Sequence, residues 1–408
     1  MTDTQILRER AKRLLEKIQT PDMDARRKAW AAHNSFKGSR PLVLFRSVTL
    51  SGQYARDTVR CADPLMRELE MQIATGEYFA GFDHDAVIEP WLVLPAVMKI
   101  APDGLFGLPA LMGHKKTEGG AAAFIPSLVE EADFEKMQVA DYEVDEQQTA
   151  RRLEHAQEAL GGVMPVMSDR QGPLLRGQGQ SDISNILCKL RGMENLMFDF
   201  YDRPEWLHRV LAFMRDKILL QCDQTERAKG FNRYNNTNQS VPYAHELPAP
   251  AADPVPVCQH QLWGFMAAQE FALVGPEIFK EFMFDYQKPI LERYGLVTYG
   301  CCEDLTQKIP LLKTVPTIRR IAVTPLADIR ANAEQLGPDY IASWRPNPSS
   351  AVSFGVDEAF TRKTMREAVK IFRENNCRFD ITLKDVETTG GDETAIPRWL
   401  KIVNEEIN

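Results

Sequence analysis

The chain has 408 residues, 44% hydrophobic and 26% charged, with a formal net charge of −8. That balance supports a large buried core and excludes a disordered chain. It also excludes a general phosphate-backbone binder, which needs a basic face to release counterions, and the basic residues here are dispersed.

Met1-Thr2-Asp3-Thr4 runs into Arg8-Glu9-Arg10 without the apolar centre of a signal peptide. No stretch approaches the ~18 apolar residues of a membrane span. The 7 cysteines are an odd number and scattered, which points to free thiols in a reducing compartment. A cytoplasmic protein is therefore expected. The length fits one (β/α)8 barrel with an N-terminal helical extension, divided here as 1–40 and 41–408.

Residues 4–33 read as amphipathic helix, with Ile6, Leu7, Leu14, Leu15 and Ile18 at helical spacing. Such a helix caps a barrel or makes a subunit contact, so a homodimer is compatible with it. Strands are predicted at 41–45, 87–94 and 163–167, helices at 63–75 and 146–160. A Gly- and Ala-rich loop is predicted over 102–124. Helices follow at 183–193, 204–229 and 276–294. From Pro276 onward, strands at 296–299, 320–324, 340–344 and 379–383 alternate with helices at 305–313, 330–336, 360–375 and 397–406. That alternation implies βαβ units and a parallel sheet. Neither GxGxxG nor GxxxxGK[ST] occurs where a nucleotide-binding sheet would carry it, so a TIM barrel is the expected α/β fold.

A barrel carries its chemistry at the C-terminal strand ends. Those ends hold Cys301, Cys302 and Glu303; then Asp328; then Arg345 and Asn347; then Lys384, Asp385 and Glu387. Thiolates are soft donors suited to zinc, which in catalytic sites keeps an open position. Strand alternation puts Tyr299 and Cys301 on one face, with Cys301 inward, unless the strand has already turned. Two buried structural cysteines are the competing reading. Glu387 is a candidate metal ligand or acid/base, and otherwise an exposed loop carboxylate. The Cys258–Glu270 stretch adds His260 as a candidate ligand and Glu270 as acid/base, or a plain hydrogen-bonded histidine. Asp83-His84-Asp85 is metal-like in composition but reads as a loop. Arg345 is a candidate for orienting an anionic substrate group.

The segment Met197-Phe198-Asp199-Phe200-Tyr201-Asp202-Arg203-Pro204-Glu205-Trp206-Leu207, after the Gly172-Pro173-Leu174-Leu175 loop, resembles the uroporphyrinogen decarboxylase superfamily. The strand before Cys301 and the Pro346-Asn347-Pro348 loop are similar too. The resemblance runs over about residues 160–405 and implies a (β/α)8 barrel. The decarboxylases carry an early Arg-Gln-Ala-Gly-Arg motif, and Phe45–Leu50 keeps one arginine of it. The corrinoid-dependent methyltransferase branch is the nearer resemblance. Its coenzyme M members carry His-x-Cys at the strand matching 298–303; Tyr299 replaces that histidine and Cys301 takes the cysteine slot. Glu387 or a neighbour falls near the later cysteine of that branch, close to the last strand. Tyr299–Glu303, with the Trp263–Glu270 loop, looks more like the branch acting on methoxylated aromatics or methylamines.

The resemblance implies methyl transfer from a small methyl donor to the cobalt of a separate corrinoid protein. Zinc would be held by Cys301, Cys302, Glu387 and His260, and Glu303, Glu270, Tyr299 and Arg345 would carry catalytic roles. An ether or amine methyl has a poor leaving group, so a Lewis acid or proton donor is needed. The chain lacks the Asp-x-His-x-x-Gly cobalamin motif, so cobalamin is expected on a partner. Two competing readings are a metal-independent decarboxylase and a non-catalytic barrel that docks a corrinoid protein.

Overall fold

Eight short runs rich in β-branched and aliphatic residues form the parallel strands of the structure, a computed structural model that describes residues 1–100, 104–113, 124–176, 182–234 and 241–407. They are β1 (Leu42–Phe45), β2 (Leu92–Pro95), β3 (Val166–Asp169), β4 (Trp263–Met266), β5 (Leu296–Tyr299), β6 (Ile318–Val323), β7 (Ile341–Trp344) and β8 (Arg378–Leu383). Six pair in the order β1-β8-β7-β6-β5-β4, and β2 pairs with β3 in a separate ladder. The last strand thus lies beside the first, Leu42 opposite Asp380. Among the described residues no ladder joins β1 to β2 or β3 to β4. The fold is therefore a mixed α/β arrangement built on a curled six-strand parallel sheet, and a fully closed ladder, as expected of a barrel, is not seen among the described residues.

The near-continuous burial of β1, β4, β5 and β7 is what parallel strands covered on both faces require. The helix Glu358–Glu374 buries Met365, Ala368, Val369 and Phe372 along one stripe, and Ala395–Ile407 packs beside it. No helix among the described residues is long and apolar enough to cross a membrane.

Several boundaries differ from the sequence expectation for local reasons. The helix expected over 4–33 is two helices, Asp3–Ile18 and Pro21–Asn34, because Thr20 caps the second and Pro21 opens it. The strand expected over 87–94 is confined to β2, since Pro90 cannot donate to a ladder. The helix expected at 305–313 shrinks to Ile309–Leu312. Val48–Thr58 is a helix and Trp263–Met266 a strand, neither of them foreseen. Much of the loop expected over 102–124 lies outside the described residues; its described ends pair Leu111 with Ile125.

The N-terminal helices are part of the core rather than an appendage. Trp30 is buried with Leu42 and Leu44 of β1, and its ring lies 5.3 Å from the Arg320 guanidinium. Arg320 and Asp380 are both fully buried, and Arg320 donates to both Asp380 carboxylate oxygens at 2.9 Å. Ser343 donates to the same carboxylate at 2.9 Å, and His33 lies 3.6 Å from it. Burial opposes the Asp380 charge, but Arg320, His33 and Ser343 outweigh it and hold its carboxyl down at about 2.

Candidate functional site

Gly300 sets the turn after β5. Its φ is +101°, and a Cβ there would lie 2.6 Å from Leu305 Cδ1 and 2.9 Å from Ala322 Cβ. Only glycine takes that conformation in so little space. The strand therefore ends at Tyr299, and its alternation does not reach the cysteines. Tyr299 is buried and donates to Gln287 Oε1 at 2.6 Å, on the helix Asp285–Leu291. It faces the helices rather than sharing a face with Cys301. Burial, with the charges of Glu303 and Asp182, pushes its hydroxyl well above the usual tyrosine range, which does not suit an acid/base role.

Past the turn, two residues hold the thiols in place. Glu303 is fully buried, and its carboxylate accepts from the Cys301 amide and the Ala268 amide, each at 2.8 Å. It stitches the thiol turn to the loop after β4. Arg345, at the end of β7, donates to the carbonyls of Cys301 and Gly300, the latter at 3.1 Å. Glu303 is expected from sequence as an acid/base or ligand and Arg345 as a substrate-orienting group; in the structure both hydrogen-bond to backbone of the turn, and Glu303 also to the loop after β4.

Cys301 is half-buried and Cys302 exposed, with their sulfurs 3.5 Å apart. Strand β8 brings the opposing charge. Asp380, Thr382 and Lys384 alternate along one side of it, and Thr382 donates to Asp380 at 3.2 Å. Lys384 continues that row to the strand end, where its Nζ lies 3.1 Å from Cys301 Sγ and 3.6 Å from Cys302 Sγ. The same ammonium lies 2.9 Å from Asp385 Oδ2. Asp385 has a left-handed φ of +56°, a strained conformation that aspartate tolerates, and its carboxylate accepts from Cys302 Sγ at 3.5 Å. The hydrogen bond to Cys301, burial and the Cys301 charge all push the Cys302 thiol upward. The pair thus holds one negative charge more readily than two.

A second polar cluster sits beside the loop after β4. Ser184 Oγ lies 2.9 Å from Asp182 Oδ1 and 2.7 Å from Glu270 Oε2. A hydroxyl donates one proton, so both contacts are hydrogen bonds only when one carboxyl carries a proton of its own. Burial and the Glu270 charge, opposed by the Asn185 amide and Ser184, push Asp182 up to about 7. Asn185 donates to the other Glu270 oxygen at 2.8 Å. Glu270 was anticipated as an acid/base. Asp182 was not, and its only sequence signal is its place as helix N-cap before Ile183.

The remaining expected ligands stand elsewhere. Glu387 is exposed and accepts from Thr49 Oγ1 at 2.6 Å. His260 precedes β4, and its carbonyl packs on Gly295, which precedes β5. Cys301 follows β5, so in a parallel sheet His260 lies at the opposite strand ends and does not join the thiols. His84 of the Asp83-His84-Asp85 loop is buried and accepts from the Phe45 amide at 3.1 Å. Arg46, at the end of β1, has Arg320 and Arg345 as the charges acting on it; burial and those cations push it down to about 10.

No family profile matches the chain, and no curated protein matches it. Among solved structures, a methyltransferase from Methanosarcina mazei aligns over 93% of this chain and 98% of its own, with a TM-score of 0.47 and 9% identity. A likeness of that grade carries no statement about activity.

Proposed function

We propose that this chain is a methyltransferase that moves a methyl group from a small methoxylated aromatic or methylamine donor to the cobalt of a separate corrinoid protein. The observation that carries the reading is the Cys301–Cys302–Asp385 donor set gathered around the Lys384 ammonium at the C-terminal strand ends. The resemblance of the 197–207 segment to the uroporphyrinogen decarboxylase superfamily supports it.

The donor set fits zinc in its chemistry. Two thiolates around a tetrahedral zinc at about 2.3 Å stand about 3.8 Å apart; these sulfurs stand 3.5 Å apart. Lys384 already supplies a positive charge against all three donors, as a stand-in cation does. Cys301, Cys302 and Asp385 would hold the ion, in place of the set with Glu387 and His260, once Lys384 swings aside. Bound there, zinc supplies Lewis-acid stabilisation of the leaving atom.

The chain's own residues do the rest. Gly300, Glu303 and Arg345 hold the turn in place, so the main rearrangement is the movement of Lys384. The Asp182–Ser184–Glu270 cluster holds a proton near neutral pH. As the bond from methyl carbon to donor oxygen or nitrogen breaks and the carbon–cobalt bond forms, that proton goes to the leaving atom.

Single-turnover transfer from a methoxylated aromatic or methylamine to a cobalt(I) corrinoid protein, followed by visible absorbance, tests this. Cys301→Ser with Cys302→Ser should slow transfer by about a hundredfold or more, since Lewis-acid assistance is worth several kcal/mol. Full transfer by that variant, with no zinc in the pure wild-type protein, overturns the reading.

One observation favours a second reading, a metal-independent decarboxylase. Arg46, with only cations acting on it, invites a substrate carboxylate. Release of carbon dioxide from an aromatic or tetrapyrrole acid without any corrinoid partner would select it.

A further inference from the structure

His260 has donor neighbours of its own. The long helix Pro204–Arg227 ends with Glu226 beside the short turn Gln259–Gln261. The ligand atoms of Glu226, Cys258 and His260 all lie within 4.8 Å of one another, the only such group of three or more among the described residues. The turn is braced: the Cys258 amide donates to Gln261 Oε1 at 2.9 Å, and the Gln261 amide donates to the Cys258 carbonyl at 2.9 Å. Cys258 and His260 are thereby fixed two residues apart on a rigid loop. The neighbouring Arg293 pairs with Asp223, and the Glu226 charge acts on it as well.

We propose that Glu226, Cys258 and His260 form a second metal site, for a borderline-soft divalent cation of the zinc class, at the N-terminal strand ends. Thiolate, imidazole and carboxylate together are a zinc donor set, and three protein ligands leave a coordination position for water. Sulfur and nitrogen around a tetrahedral zinc stand about 3.5 Å apart, so the side chains need to close by about an ångström. His260 is exposed and Cys258 half-buried, so the ion enters from solvent. Binding releases the thiol proton, which Glu226 otherwise accepts as a hydrogen bond. The site links the end of a helix to the loop that enters β4, and is separate from the thiol pair that follows β5.

Cobalt(II) titration of the full chain carrying Cys301→Ser and Cys302→Ser tests this site without the other thiol pair. One equivalent should bind with a thiolate-to-cobalt charge-transfer band in the near ultraviolet. Adding Cys258→Ser should abolish that band, and adding His260→Ala or Glu226→Gln should weaken binding by about tenfold or more. A charge-transfer band that survives Cys258→Ser, or no binding in the background protein with its fold intact by circular dichroism, overturns the proposal. Neither outcome bears on methyl transfer at Cys301 and Cys302.

Discussion

The Lys384 ammonium lies 3.1 Å from the Cys301 sulfur, although the two residues are 83 positions apart in the chain. The contact exists because β8 ends where the turn after β5 begins. A cation at that distance favours the thiolate. Removing it with Lys384→Met should slow alkylation of Cys301 near neutral pH by about tenfold, the equivalent of about 1.4 kcal/mol. Iodoacetamide labelling with peptide mapping gives the rate, and Cys301→Ser identifies the peptide. An unchanged rate would mean that the ammonium does not govern the thiol. The same substitution should tighten zinc binding at the pair, because it removes a competing positive charge; zinc titration against a chromophoric chelator reads that directly.

Asp182 should titrate near neutrality. Its folded value is raised to about 7 by burial and by Glu270. The sign follows from the direction: a raised carboxyl binds its proton more tightly in the folded state. The stability this contributes is complete below the ordinary aspartate range and is lost as pH rises through about 7. A proton-donor role fades over the same interval. Infrared difference spectra should show a protonated carboxyl band that disappears as pH rises through about 7 and is absent from Asp182→Asn. A band unchanged in Asp182→Asn would assign the proton elsewhere.

The buried Arg320–Asp380 pair makes the opposite prediction. Asp380 is held down at about 2, so its contribution is present above the ordinary aspartate range and lost as pH falls through about 2. Asp380→Asn leaves Arg320 charged and buried, and breaking such a pair costs about 3–5 kcal/mol. Urea unfolding near neutral pH should show that loss, and the variant should lose less further stability than wild type on acidification. A midpoint within experimental error of wild type would show that the pair is dispensable.

How far the site was legible follows from which forces are local. Leu296–Tyr299 is a strand because β-branched and aromatic residues sit between a turn at Gly295 and one at Gly300, and short-range pattern suffices for that. Glu146–Leu160 was bounded from sequence because Asp145 caps it and Gly161 ends it. The inward direction of Cys301 could not be read by alternation, because Gly300 turns the chain first. Glu303 and Arg345 look catalytic in a list of strand ends. Their role as backbone clamps depends on amides and carbonyls that only the fold brings near. His260 shows the limit most plainly: its residue type made it a candidate ligand beside Cys301, but strand direction places it at the other strand ends, near Cys258.

Gly300 is the position where local conformation and site geometry are hardest to separate. Any side chain there must hold a φ of +101° and press on Leu305 and Ala322. Backbone strain of that kind costs about 1–3 kcal/mol. Gly300→Ala should therefore lower the urea midpoint, and the cost should not be confined to stability. Relaxing the clash moves the amide of Cys301, which Glu303 holds at 2.8 Å, and with it the sulfur that faces Lys384. The variant should also alkylate Cys301 more slowly under conditions where it remains folded. Lys384→Met in the Gly300→Ala background should then slow labelling less than it does in wild type, because the contact it removes is already weakened. Full additivity of the two effects would show instead that the turn and the ammonium act on the thiol independently.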